Sequence, residues 1–200
     1  MRHVPWAASA ALLLSALLTG CSDHAPPAAP APPPSTLAAA WGTDPAPAAA
    51  AGKPGACKLP VTFDVAKSWK ASSVPDGVAD QGGFALRCEI DAKPAGHIGF
   101  LRVWVGDGKA EPGAALDAYL AEEPGVVGRQ TRTVKAGDLP AAEATYLTEN
   151  AELGVRRQER ALAVATGTST VLLVIGGLSP EEHRELLPAY VLARQTLTLP

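Results

Sequence analysis

Residues 22–56 limit what this chain can fold into more than any other feature. Of these 35 residues, 9 are Pro and 13 are Ala. Pro33-Pro34 and the repeated Ala-Pro steps favour extended polyproline geometry, and the stretch has no apolar periodicity on which to build a core. It reads as a passive tether, reaching on the order of 100 Å if fully extended and about 30 Å as a flexible coil. Trp41 is its one oddity, an aromatic ring with nothing nearby in sequence to pack against, and it reads as incidental. A compact domain must therefore come from residues 57–200. Those 144 residues suffice for one domain that buries roughly 68% of its unfolded surface.

The segment ahead of the tether is a processing signal. Arg2 and His3 precede an apolar run from Ala10 to Leu18, which is shorter than the ~20 residues a membrane-spanning helix needs. The run ends in Leu18-Thr19-Gly20-Cys21, which resembles a bacterial lipobox. In such a motif small residues admit the peptidase, and the cysteine thiol receives a diacylglyceryl group. Residues 1–20 are thus expected to be a lipoprotein signal peptide, and Cys21 the lipidated first residue of the mature chain. Two or more acyl chains, at ~0.8 kcal/mol per buried CH₂, give a stable anchor without a spanning helix. The expected location is the outer face of the cytoplasmic membrane.

Charge and length exclude several functions. With 17 Lys+Arg against 20 Asp+Glu the formal net charge is −3, so no basic surface is available to hold nucleic acid generically. A two-lobed solute-binding protein would need about twice this domain length. Once Cys21 is lipidated, Cys57 and Cys88 remain. Outside the cytoplasm a disulfide between them is the expected state. No CxxC or comparable ligand spacing points to a metal.

Apolar periodicity orders the domain. A first strand is expected over Leu59–Phe63, with a turn at Ala66–Trp69. Gly83–Ile90 alternates, placing Phe84, Leu86, Cys88 and Ile90 on one face. Its partner strand spans His97–Val105, and Asp107-Gly108 turns the chain. Residues 113–122 carry Leu116, Tyr119 and Leu120 at helical spacing and stop before Pro124-Gly125. Strands follow at Arg129–Val134, Ala142–Thr148, Gly154–Thr166 and Thr170–Gly176. Ser179-Pro180-Glu181-Glu182 then starts a helix that Pro188 should kink, and Thr196–Leu199 is a candidate last strand. The order describes an α+β fold, an antiparallel sheet with helices packed on it.

This order resembles that of actinobacterial lipoproteins of the LpqN/LpqT type. The resemblance covers about residues 59–200. It rests on Phe63 with Trp69, on Asp138-Leu139-Pro140-Ala141-Ala142 leading into a strand near Tyr146, and on the paired strands Arg156–Ala165 and Val171–Ile175 before the final helix. It implies a PsbP-like α/β/α sandwich in a lipid-anchored, non-catalytic surface protein, and it supplies no catalytic residue.

Few residues of the domain are arranged for chemistry. His97 and His183 are its two histidines. His183, beside Glu181, Glu182 and Glu185, reads as a solvated helix end. No HExxH, GxSxG or SxxK is present, and Gly106-Asp107-Gly108-Lys109 lacks the spacing of a phosphate loop. Arg156, Arg157 and Arg160, with Arg102, form a candidate anion patch but read as a solvated face neutralised by Glu149, Glu152 and Glu159. Trp69 and Trp104 read as packing residues. No catalytic residue, metal or cofactor is expected. The partners expected are the membrane, through the lipid, and a protein met by a non-enzymatic interaction module. The alternative is a small molecule or lipid in a cleft between helix and sheet. Recognition is expected near residues 113–122 and the loops that flank them.

Overall fold

The computed structural model describes residues 41–150 and 152–200. Their elements are β1 (Lys70–Ser73), β2 (Asp80–Gln81), β3 (Phe84–Asp91), β4 (Phe100–Asp107), α1 (Pro112–Ala121), β5 (Val126–Ala136), β6 (Leu139–Asn150), β7 (Val155–Ala165), β8 (Ser169–Gly176) and α2 (Pro180–Gln195), with a 3-10 turn at Lys93–Ala95 after β3. One antiparallel sheet runs β1-β3-β4-β8-β7-β6-β5, and β2 adds to β3. The last four strands form a meander. Its final strand, β8, returns beside β4, so α1 carries the chain from the middle of the sheet to its far edge.

Alternation along the strands separates two cores. Val171, Leu173 and Ile175 of β8 and Leu162 and Val164 of β7 pack with Leu186, Tyr190 and Val191 of α2. Leu172, Val174, Ala161 and Ala163 point the other way and pack with Leu116, Tyr119 and Leu120 of α1. Each helix therefore covers its own face of the sheet. The continuous apolar run of β8 is what a strand buried on both faces requires.

In β3 the structure corrects the expected alternation. Phe84, Leu86, Cys88 and Ile90 are all buried, but Phe84 and Leu86 lie in the α1 core and Cys88 and Ile90 in the α2 core. The reason is a bulge at Arg87. Leu86 pairs with Trp104 and Cys88 with the very next residue of the partner, Val103. One inserted residue moves everything beyond it to the opposite face. That shift brings Cys88 to Cys57, and the two form a disulfide with Cα atoms 5.7 Å apart. Closing a loop of 31 residues is worth about 3–4 kcal/mol on the chain-entropy model.

Three further expectations change. Leu59–Phe63 and Thr196–Leu199 are not strands of the sheet. They meet each other in a single bridge, where Thr62 and Thr198 exchange backbone hydrogen bonds of 2.9 Å. The edge strand β1 carries no apolar alternation and was not anticipated. The third concerns the tether, whose last residues are part of the folded domain. Ala48 N–H donates to the Pro188 carbonyl (2.9 Å), and Ala51 N–H donates to Val65.

The second helix begins as its sequence predicts. Ser179 caps it by accepting from Glu182 N–H at 3.2 Å, while the Glu182 carboxylate accepts from Leu178 N–H at 2.6 Å. The β5–β6 turn is two residues long. Gly137 there adopts φ +54°, and a Cβ would come within 2.0 Å of the Leu197 carbonyl. Only glycine lets this hairpin dock on the chain that follows α2, where Gly137 N–H reaches the Arg194 carbonyl at 2.8 Å.

Candidate functional site

Two places in the domain depart from ordinary packing. The first is a cleft of about 400 Å³ at the end of the sheet where β6 turns into β7. Glu123 and Pro124, directly after α1, form one wall, and Thr148, Glu149, Val155 and Arg157 form another. Leu153, Leu178 and Val155 stand at its edge and are 73%, 59% and 42% exposed. Thr148 is buried, and its hydroxyl has no partner among the described residues. Clustered exposed apolar side chains rimmed by charges mark interaction surfaces more often than isolated ones do. By contrast, the interface between α1 and the sheet is filled. Trp104 meets Tyr119 edge-on at 5.5 Å, and Tyr146, Leu116 and Leu172 complete that core.

The second place is a buried polar cluster on the α2 face. Arg132 of β5 and Glu143 of β6 are cross-strand partners. Arg160 of β7 and Arg194 and Tyr190 of α2 complete the group. Glu143 is fully buried and accepts from Tyr190 Oη (2.6 Å), Arg132 Nε (2.7 Å) and Arg194 Nη1 (3.1 Å). A second carboxylate comes from outside the sheet. Asp44 accepts from Arg160 Nη1 at 2.7 Å and Arg194 Nη2 at 2.8 Å, and it lies 3.4 Å from Arg132 Nη2. Burial raises the Asp44 pKa, but hydrogen bonds and charge from Arg194 and Arg160 outweigh this and hold its carboxyl below the usual range.

Trp41 closes the group. Its ring lies 4.0 Å from the Arg132 guanidinium and 5.3 Å from that of Arg160, and its carbonyl accepts from Arg160 Nη2 at 2.7 Å. The incidental reading of Trp41 is therefore corrected, and so is the passive tether for residues 41–56. The ring stacks on cations contributed by strands more than 90 residues away in sequence, which no local pattern reveals.

The arginines of β7 do not act together. Arg156 is exposed and paired with Glu149 at 2.6 Å, as its surroundings in sequence suggest. Arg157 points to the opposite face and lines the cleft. Arg102 pairs with Glu89 at 2.8 Å. Arg160 is fully buried, contrary to the solvated face expected, because its counter-charge is Asp44, 116 residues away in sequence.

The histidines also separate. His97 Nδ1 lies 3.2 Å from Glu185 at the surface. His183 is not the solvated helix end that was expected. It is fully buried, and neither ring nitrogen has a partner among the described residues. Burial first, then the charges of Arg160 and Arg184, push its pKa down to about 4. On the α1 face Tyr146 Oη donates to Glu159 at 3.0 Å, and burial, reinforced by Glu123, raises the Glu159 carboxyl. Gly106–Lys109 ends β4 and leads toward α1. No group of three potential metal ligands is assembled among the described residues. Cys21 lies outside them, and no helix among them is long and apolar enough to cross a membrane.

Comparison with known proteins places the chain. A family model described as uncharacterised lipoprotein matches residues 31–197. The chain belongs to this lipoprotein family. No curated protein matches it. Among solved structures, it is similar to the cyanobacterial PsbP (CyanoP) of Synechocystis sp. PCC 6803, at 9% identity over 70% of this chain and 87% of that one, with a TM-score of 0.48. It is also similar to LpqN of Mycobacterium tuberculosis, a protein involved in cell envelope biogenesis, at 16% identity over 70% of this chain and 83% of that one, with a TM-score of 0.49. Likeness at this level transfers neither a site nor an activity.

Proposed function

We propose that this lipoprotein is anchored through Cys21 to the outer face of the cytoplasmic membrane and works by binding a protein partner, without turnover. Membership of a lipoprotein family supports the anchor, together with the Leu18-Thr19-Gly20-Cys21 motif. The observation that carries the binding role is the cleft beside the end of α1, edged by exposed Leu153, Leu178 and Val155. Its walls carry Glu123, Glu149 and Arg157, so charged side chains lie beside the apolar ones, a mix that protein interfaces use. Because Trp41 and Asp44 are seated on the domain, only residues 22–40 separate it from Cys21. Those residues span at most roughly 70 Å, less than a tether ending at residue 56 would allow.

A photo-crosslinking residue placed at Leu178 in the membrane-bound protein tests this. A discrete protein adduct is expected, and it should disappear when Leu153 is changed to Asp. The volume of the cleft also suits a small ligand. A small molecule that copurifies with the native protein and is lost in Leu153→Asp, with no protein adduct, would favour that second reading over the first.

A further inference from the structure

We propose that Arg132, Arg160 and Arg194 form a binding socket for a dianionic oxyanion group, a phosphate monoester or a dicarboxylate, which the segment from Trp41 to Asp44 occupies in place of the ligand. This is independent of the cleft near α1.

The partners of Arg160 are the first observation. Its guanidinium is fully buried on a rigid strand, yet among the described residues both of its hydrogen-bonding partners, the Asp44 carboxylate and the Trp41 carbonyl, belong to the incoming segment. The sheet and α2 offer it only the face of Tyr190, 5.8 Å away. A buried guanidinium supplied with no anion by its own scaffold is costly unless something else provides one. Arg132 and Arg194 differ, because each also pairs with Glu143 of the scaffold, at 2.6 and 3.1 Å.

The charge balance is the second. The scaffold brings three guanidiniums and one carboxylate, Glu143, around the socket. Tyr190 is a neutral phenol, since burial and Glu143 raise its pKa far above the usual value. Asp44 adds one negative charge where the scaffold leaves two positive ones uncompensated. Among the described residues, Arg160 Nε is buried without a partner. A group carrying two negative charges would balance the two positive charges that the scaffold leaves, and its three or four acceptor oxygens suit guanidinium forks.

The segment meets the socket through Trp41 and Asp44 and joins no strand of the sheet. Gly42 and Thr43 between the two contact residues are exposed, Asp44 and Trp41 are only partly buried, and Gly42 takes φ +63° with open space around it. The first backbone anchor that follows is Ala48 on Pro188, and residues 41–47 belong to no strand, so their displacement would break no ladder of the sheet.

Titrating the full-length, detergent-solubilised protein with inorganic phosphate and with succinate, at ionic strength matched with chloride, tests the proposal. Trp41→Ala/Asp44→Ala should bind at least one of the two anions ten-fold or more tightly than the native chain. Arg160→Gln in the same background should remove that gain. The milder Asp44→Asn, which keeps the shape of the segment, should show a smaller gain in the same direction. Phosphate binding alone would identify a phosphate monoester site, and succinate binding alone a dicarboxylate site. Folded variants that bind neither anion, or that bind no better than the native chain, would overturn the proposal. So would unfolding of both Asp44 variants, because the segment would then be a structural strut.

Discussion

Replacing Glu143 with Ala is expected to destabilise the domain by about 3–5 kcal/mol, the cost of leaving buried charges without their partner. Three donors converge on this carboxylate from β5 and α2, namely Arg132, Arg194 and the hydroxyl of Tyr190. Without it, Asp44 alone faces three guanidiniums, and a buried phenol loses its acceptor. Glu143→Gln keeps an acceptor oxygen for Tyr190 and should cost less, roughly 1–3 kcal/mol. Urea unfolding at pH 7 measures both. A loss below about 1 kcal/mol for Glu143→Ala would mean that the cluster is hydrated and not part of the core.

Acidification should weaken the fold through His183. The folded protein holds this ring near pKa 4, against 6.5 for an unperturbed histidine. Between those values the unfolded chain binds the proton and the folded one does not, so stability falls as pH drops from about 6.5 to about 4. The full difference is worth about 3 kcal/mol at ~1.4 kcal/mol per pH unit. Arg160 and Arg184 add to the cost of charging the ring. Glu159 acts in the opposite sense, since its raised pKa makes folding take up a proton as pH falls, whereas Asp44 with its lowered pKa adds a loss below its unfolded value near 3.8. His183→Leu should flatten the profile between pH 6.5 and 5 in thermal unfolding. An unchanged slope in that variant would place the acid sensitivity elsewhere.

Local chemistry made much of the fold legible. The Ser179-Pro180 cap, the two-faced apolar run of β8 and the meander from β5 to β8 all follow from patterns confined to a few residues. The losses have a common cause. The bulge at Arg87 is imposed by pairing with β4, and one inserted residue redirects Cys88 and Ile90 without leaving a mark in their own alternation. The strand β1 is polar at the sheet edge, so no apolar period announces it. Arg160 and His183 looked solvated because their neighbours in sequence are charged. Whether they are buried depends on α2 and on Asp44, which sequence distance hides. For the cleft, the sequence pointed no further than residues 113–122 and the loops that flank them. Its apolar edge requires Leu153 and Leu178, from two separate turns, to arrive at one place.

That the domain is held at a membrane by its first mature residue is tested most directly by the intact mass of the protein extracted from native membranes. The predicted mass begins at Cys21, lacks residues 1–20 and carries at least a diacylglyceryl group. Cys21→Ser should remove the lipid mass and release or mistarget the protein. A native mass that retains residues 1–20, or that begins at an unmodified Cys21, would contradict it.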